Sequence, residues 1–211
     1  KQKLLAEQKF LGETSLTTEE MGPGETKPQY ALNGKFIIWT MMWLDATRIV
    51  DAESGRIVKH LEKAVSPSVS PSGKLVAFLE KGERDAYAPA LFDLEKMERR
   101  PLPGAAGADR RFLAAMPPAW SPDSSKIAVI GKWTVKKVTP AEDGRPPQEE
   151  WKEEGGMAPY TMVLPDGKPQ PLLKDLDKDV WWVDWSPKGD LLAISTEIKD
   201  AWLNACRAHL E

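Results

Sequence analysis

The sequence holds a single cysteine, Cys206, and only two histidines, His60 and His209. One cysteine excludes an internal disulfide and a cysteine-built metal site, and it leaves the compartment, periplasmic or cytoplasmic, unassigned. With so few soft ligands a zinc site has no basis, and both histidines read as structural or surface side chains. Long apolar runs are also missing. The longest, Phe36 to Leu44, spans nine residues and contains Thr40, against the roughly 20 that a membrane-spanning helix requires. Neither sign of charge dominates, since 29 basic and 32 acidic residues leave a net charge of −3, and nothing favours nucleic acid or an anionic membrane.

Catalytic signatures are missing too. No pentapeptide has the G-x-S-x-G form of a serine nucleophile elbow, and Gly104-Ala105-Ala106-Gly107 runs into no Lys-Ser/Thr of a phosphate loop. Asp175, Asp177 and Asp179 gather three carboxylates, but without the glycine and distal glutamate of a calcium loop they read as a solvated turn. No catalytic, cofactor or metal residue is therefore assigned. The chain starts without methionine, and Lys1 to Leu16 lacks the apolar core of a secretion signal, so it reads as a trimmed or mature segment.

What the sequence does hold is a repeat. A nine-residue pattern occurs at Ser70 to Phe78 (SPSGKLVAF), Ser121 to Val129 (SPDSSKIAV) and Ser186 to Ile194 (SPKGDLLAI), with a worn copy at Ala31 to Trp39 (ALNGKFIIW). Proline presets φ for the first turn position, glycine supplies positive φ, and the apolar run that follows suits a buried strand, so each copy predicts a hairpin. Val69, Trp120 and Trp185 precede the Ser-Pro and extend the first strand of each hairpin. Further strand pairs follow, as in Thr47 to Asp51 and Arg56 to Leu61 around Ala52-Glu53-Ser54-Gly55, which makes each unit a four-stranded meander. Starts at 31, 70, 121 and 186 lie 39, 51 and 65 residues apart, and the first spacing is near the roughly 40 to 50 of a propeller blade. The longer spacings imply insertions, read as exposed loops at Pro101 to Asp109 and Thr139 to Gly156.

The expected fold is all-β, a β-propeller of four-stranded meander blades, about three and a half to four in this chain. Residues 29–198 would hold the blades (29–62, 65–103, 115–174 and 179–198), after a helical and loop extension at 1–28 and before a helical tail at 199–211. In that tail Trp202, Cys206 and His209 or Leu210 share one side. The repeated S-P-[D/S/K]-[G/S] turn with its Ala-aromatic or Ala-aliphatic strand resembles the TolB-like propeller repeat, a WD-like unit also found in the propellers of prolyl-oligopeptidase-type peptidases. Ser72 and Lys188 stand where that repeat has Asp, and Ser124 where it has Gly. The resemblance implies a scaffold, lid or ligand platform and names no chemistry of its own.

The side chains most suggestive of function are tryptophans. Alternation along Val180 to Trp185 would send Trp181, Val183 and Trp185 to one face and Val180, Trp182 and Asp184 to the other. Trp43, Trp133, Trp151, Trp181 and Trp182 are the candidate partner-binding residues, with inter-blade packing as the competing role. Lys132 to Lys137 reads as an edge strand guarded by lysines. The leading expectation is a non-catalytic scaffold that engages a protein partner, through its loops and through an unfinished blade edge covered by another chain, a further copy or sequence beyond this chain. The alternatives are the propeller portion of a larger prolyl-oligopeptidase-like hydrolase and a propeller binding a sugar or a metal.

Overall fold

The computed structural model describes residues 28–41, 46–82, 86–105, 109–140, 147–173 and 180–196. Among the described residues, fifteen strands form four antiparallel sheets in chain order, each a propeller blade. Blade 1 is β1 (Gln29–Ala31), β2 (Phe36–Met41), β3 (Ala46–Asp51) and β4 (Ile57–Glu62). Blade 2 is β5 (Ala64–Val69), β6 (Leu75–Lys81), β7 (Tyr87–Asp93) and β8 (Glu98–Arg100). Blade 3 is β10 (Ala119–Trp120), β11 (Lys126–Thr139), β12 (Gln148–Val163) and β13 (Pro169–Pro171), with β9 (Arg110–Ala114) added against β11. Blade 4 is β14 (Val180–Trp185) paired with β15 (Leu192–Thr196). All of the expected extension at 1–28 but Pro28, and the tail at 199–211 with Trp202, Cys206, His209 and Leu210, lie outside the described residues, as does the Asp175–Asp179 cluster.

The three Ser-Pro turns share one geometry, and the worn copy closes the same hydrogen bond with Leu32 and Asn33 also at positive φ (48 and 55°). The fourth residue takes positive φ at Gly34, Gly73, Ser124 and Gly189 (85, 71, 62 and 76°), and its N–H donates to the carbonyl of the first at 2.8–3.1 Å. The leading serine adds what alanine cannot. Ser70, Ser121 and Ser186 accept at Oγ from the backbone N–H of Leu75, Lys126 and Leu191, at 3.1, 2.9 and 3.1 Å. Ala31 keeps the turn without that bond and instead buries its methyl group in the core. In blade 3 Asp123 also accepts from the Ser121 and Ser125 hydroxyls at 2.6 and 2.7 Å and from the Ser125 N–H at 3.0 Å. Those bonds, the Ser121 hydroxyl foremost, pull its carboxyl below the ordinary value of 3.8 to about 2. A carboxyl held below its unfolded pKa stabilises the fold above pH 3.8 and stops doing so as pH falls toward 2. Asp123→Asn is therefore expected to flatten part of the acid loss of stability, by under about 1 kcal/mol because water screens the carboxylate. Urea midpoints for both proteins, read from about pH 5 to about pH 2, check this.

Alternation along the second strand of each blade sorts the side chains between neighbours. Val76 and Phe78 pack with Phe36, Ile38 and Ile49 of the preceding blade, whereas Ala77 and Leu79 face Ile127, Val129 and Met162 of the following one. Blade 3 repeats the rule, with Ile127 and Val129 turned to blade 2 and Ala128 and Ile130 packed against Val183, Trp185, Leu192 and Ile194 of blade 4. The alanine of the motif thus marks the face toward the following blade, where backbones approach closely. Ala77 and Ala128 are both 0% exposed.

The first strands and turns also bind blade to blade. Gln29 donates to Pro67 O at 2.8 Å and accepts from the Val69 N–H at 2.9 Å. The indole N–H of Trp120 donates to Ser68 O at 2.8 Å, and that of Trp185 to Ala119 O at 3.2 Å. Leu32 N–H donates to Gly73 O at 2.9 Å, and Ser72 N–H to Ser124 Oγ at 3.0 Å, so the turns stack along one rim. Trp120 and Trp185 are inter-blade fasteners.

Two sequence readings are corrected. The insertion at Thr139 to Gly156 is not mainly loop, because Gln148 onward is strand in a long ribbon registered Thr139↔Gln148 to Trp133↔Glu154. Proline and glutamate suggest a loop when read along the chain. Across the ribbon, though, the glutamates meet lysines, with Lys132–Glu153 at 2.5 Å and Lys136–Glu149 at 2.7 Å. Nor is Lys132 to Lys137 an edge strand as far as Val135, since Gly131–Val135 pairs with Ala114–Arg110 on the side away from β12.

Candidate protein-interaction surface

Blade 4 carries the most exposed of the described candidates. Its strand β14 does not alternate as its sequence implies, because the pairing slips between Val180 and Trp182 and leaves Trp181 as an extra, bulged residue. Val180, Val183 and Trp185 then turn to blade 3, while Trp181 and Trp182 stand 53% and 52% exposed. The expected grouping of Trp181 with Val183 and Trp185 is thereby overturned. Trp182 keeps its expected side with Asp184, and Asp184 pairs with Ala193. Trp182, Asp184 and Ala193 are all exposed, on the face away from blade 3. No described strand pairs with the outer edge of β15.

Trp133 and Trp151 are placed differently. Trp133 is half-buried, meets Phe112 edge to face at 5.4 Å, and is covered by the Arg110 guanidinium 4.1 Å from its ring centre. Arg110 in turn pairs with Glu154 at 2.8 Å. Trp151 is half-buried beneath the Arg111 guanidinium at 4.2 Å. Both rings have a cation from β9 on them, so their faces already hold the contact that a cationic partner would supply. Phe112 also packs edge to face on Tyr160 at 4.8 Å, and burial pushes the Tyr160 hydroxyl pKa up. Trp43 lies outside the described residues. His60 is exposed on β4.

The structure therefore brings Trp181 and Trp182 together and sets Trp133 and Trp151 apart from them in the β9–β11–β12 extension. Two features escaped sequence reasoning. The arginine covers come from Arg110-Arg111, just past a stretch read as loop. Ala193 as an exposed member of an otherwise buried series was recoverable by aligning it with Ala77 and Ala128. Among the described residues, no three His, Cys, Asp or Glu side chains are gathered to hold a metal ion. Among them, too, no helix is long and apolar enough to cross a membrane.

Four blade sheets in chain order, fastened by repeated turns, make the chain a β-propeller, a fold similar to that of TolB. TolB from Acinetobacter baumannii superposes with a TM-score of 0.52 at 15% identity, over 84% of this chain and 39% of that one. The chain thus spans about two fifths of that TolB's length. Dipeptidyl peptidase 4 from Porphyromonas gingivalis aligns with a TM-score of 0.49 at 14% identity, over 82% of this chain and 29% of its own. No protein-family model and no curated protein matches the sequence.

Proposed function

We propose that this chain is a non-catalytic propeller scaffold that holds a protein partner, with the contact centred on the exposed side of blade 4. One observation supports this reading above the others: Trp182 shares with Asp184 and Ala193 a face that no described strand covers, and its chain neighbour Trp181, like Trp182, is more than half exposed. Tryptophan loses little conformational freedom on binding and presents a large apolar area with one polar handle, which is why it recurs at the energetic centre of protein contacts. Trp133 and Trp151 contribute less under this reading, because each already carries an arginine.

The test is photocross-linking in the cells that make the protein, with a benzophenone side chain at position 182 and, as control, at His60 on the exposed outer strand of blade 1. A discrete protein adduct from 182 and none from 60 is expected. No protein adduct from 182, or the same adducts from both positions, overturns the proposal. Once a partner is in hand, replacing Trp181 and Trp182 together by serine should weaken binding by about 2 kcal/mol or more, roughly thirtyfold, with the unfolding midpoint nearly unchanged.

A further inference from the structure

The ribbon that extends blade 3 carries a strand edge with no neighbour. β13 pairs with β12 only at Tyr160–Met162, so from Gln148 to Met157 the strand has β11 on one side and no strand on the other among the described residues. Which backbone groups point out of this edge follows from the ladder. Lys136 N–H donates to Asp109 O at 2.8 Å, on the β9 side, and N–H and C=O change sides together at each residue along an antiparallel strand. Val135 and Lys137 therefore turn to β12 and bond their register partners, Lys152 and Glu150. Glu149, Trp151 and Glu153, one step off those partners, turn N–H and C=O outward.

Side chains alternate as well, with Glu150, Lys152 and Glu154 on one face of the ribbon and Glu149, Trp151 and Glu153 on the other. All of them but the half-buried Trp151 are exposed. A Cβ at Gly155 or Gly156 would meet nothing within 4 Å, so the space beside the edge stays open past Glu154. A charged edge of this kind repels a strand whose charges do not match it. One strand does match. Glu150 and Lys152 share a face, 3.3 Å apart, and read in the reverse direction they present the opposite sign at each position.

We infer that two copies of this chain pair edge to edge along β12, antiparallel, about a twofold axis at Trp151. Centred there, Glu150 lies opposite Lys152 of the second copy and Lys152 opposite its Glu150, so the charges alternate in sign around a square. Centring the pair on Glu150 or on Lys152 sets like charge on like, and charge thereby selects one register. Glu149, Trp151 and Glu153 exchange backbone hydrogen bonds with Glu153, Trp151 and Glu149 of the second copy, which joins the two ribbons into one sheet. The two indoles meet across the axis. Glu149 and Glu153 come opposite each other, but each is already held by a lysine of β11, Lys136 at 2.7 Å and Lys132 at 2.5 Å, so ion pairs and not bare carboxylates face there. The contact uses the same patch on both copies and closes at two. It is separate from the blade 4 surface and does not rest on the reading proposed for that surface.

The test is sedimentation of the full chain beside Glu150→Lys, Lys152→Glu and the double variant, with amide hydrogen exchange followed at low and high protein concentration. The wild type is expected to pass from monomer to dimer as concentration rises, with exchange slowed in the dimer at Glu149, Trp151 and Glu153. Each single substitution sets like charges opposite each other on both sides of the axis and should weaken the dimer about tenfold; the double variant should recover it, and the two single variants mixed should form a mixed dimer. Both side chains are exposed, so the unfolding midpoint of the monomer should hardly move. A wild type that stays monomeric overturns the inference, as does a dimer that the single substitutions leave unchanged, a double variant that stays weak, or a dimer in which exchange along the edge is not slowed. Edge amides slowed only by a different protein overturn it too, by giving the edge to a foreign strand. None of these results bears on blade 4, which is tested at position 182.

Discussion

Phe112→Ala is expected to lower stability by about 3–5 kcal/mol, the range for removing a fully buried aromatic ring from a packed core. Phe112 is completely buried and is the apolar anchor of β9, a strand with no counterpart in the other three blades among the described residues. Its ring stacks edge to face on Trp133 and Tyr160, geometry that adds about 0.5–1.5 kcal/mol per pair beyond area burial. The facing site is closed as well. A Cβ at Gly131 would strike the Phe112 ring and the Leu113 carbonyl, so strand, ring and glycine fit only together. If β9 were a loosely laid insertion, the alanine variant would lose far less, and the urea midpoint would hardly move. The loss should also carry a signature: with β9 released, Arg110 leaves Trp133 and Arg111 leaves Trp151. Fluorescence reporting on those two indoles should then change before the global transition.

How much of this was legible before the structure differs from element to element. The turns were legible because their cause is local: proline, serine and a residue tolerant of positive φ at fixed spacing define Ser70–Gly73 and Ser186–Gly189 without reference to anything distant. The strands that follow were legible for the same reason. The ribbon was not, because Glu149, Glu153 and Glu154 look like a solvated run until Lys136, Lys132 and Arg110 are set opposite them, and that pairing exists only across strands. Trp181 was misassigned because strict alternation has no place for a bulge, and a bulge is decided by how β14 meets β15. For the candidate surface, sequence supplied the residue type and the neighbourhood, Trp181 and Trp182. It did not separate them from Trp133 and Trp151, whose arginine covers come from a different strand.

The second large effect follows from the alanine of the repeat, and it discriminates between positions that look alike in sequence. Ala128 lies at 0% exposure between blades 3 and 4, in a cluster with Val183, Trp185, Leu192 and Ile194. Phenylalanine there has no space to enter, and overpacking a closed interface costs about 1–3 kcal/mol or more. Ala193 occupies the same step of the motif in blade 4 and is exposed. Ala193→Phe should therefore change the stability of a single chain by under about 0.5 kcal/mol, as surface substitutions do, while blocking whatever docks on that face.

The most direct test of the account, that each blade presents its motif alanine to the next and that blade 4 leaves this face open, is a side-by-side thermal unfolding measurement. Ala128→Phe and Ala193→Phe would be compared with the parent by intrinsic fluorescence, at the lowest protein concentration that gives a signal, so that association does not contribute. The account predicts a melting temperature several degrees lower for Ala128→Phe and unchanged for Ala193→Phe, as about 2 kcal/mol on a chain of this size implies. Equal losses at the two positions, or a larger loss at Ala193, would contradict it, because Ala193 would then be buried within its own chain and blade 4 would have no open face.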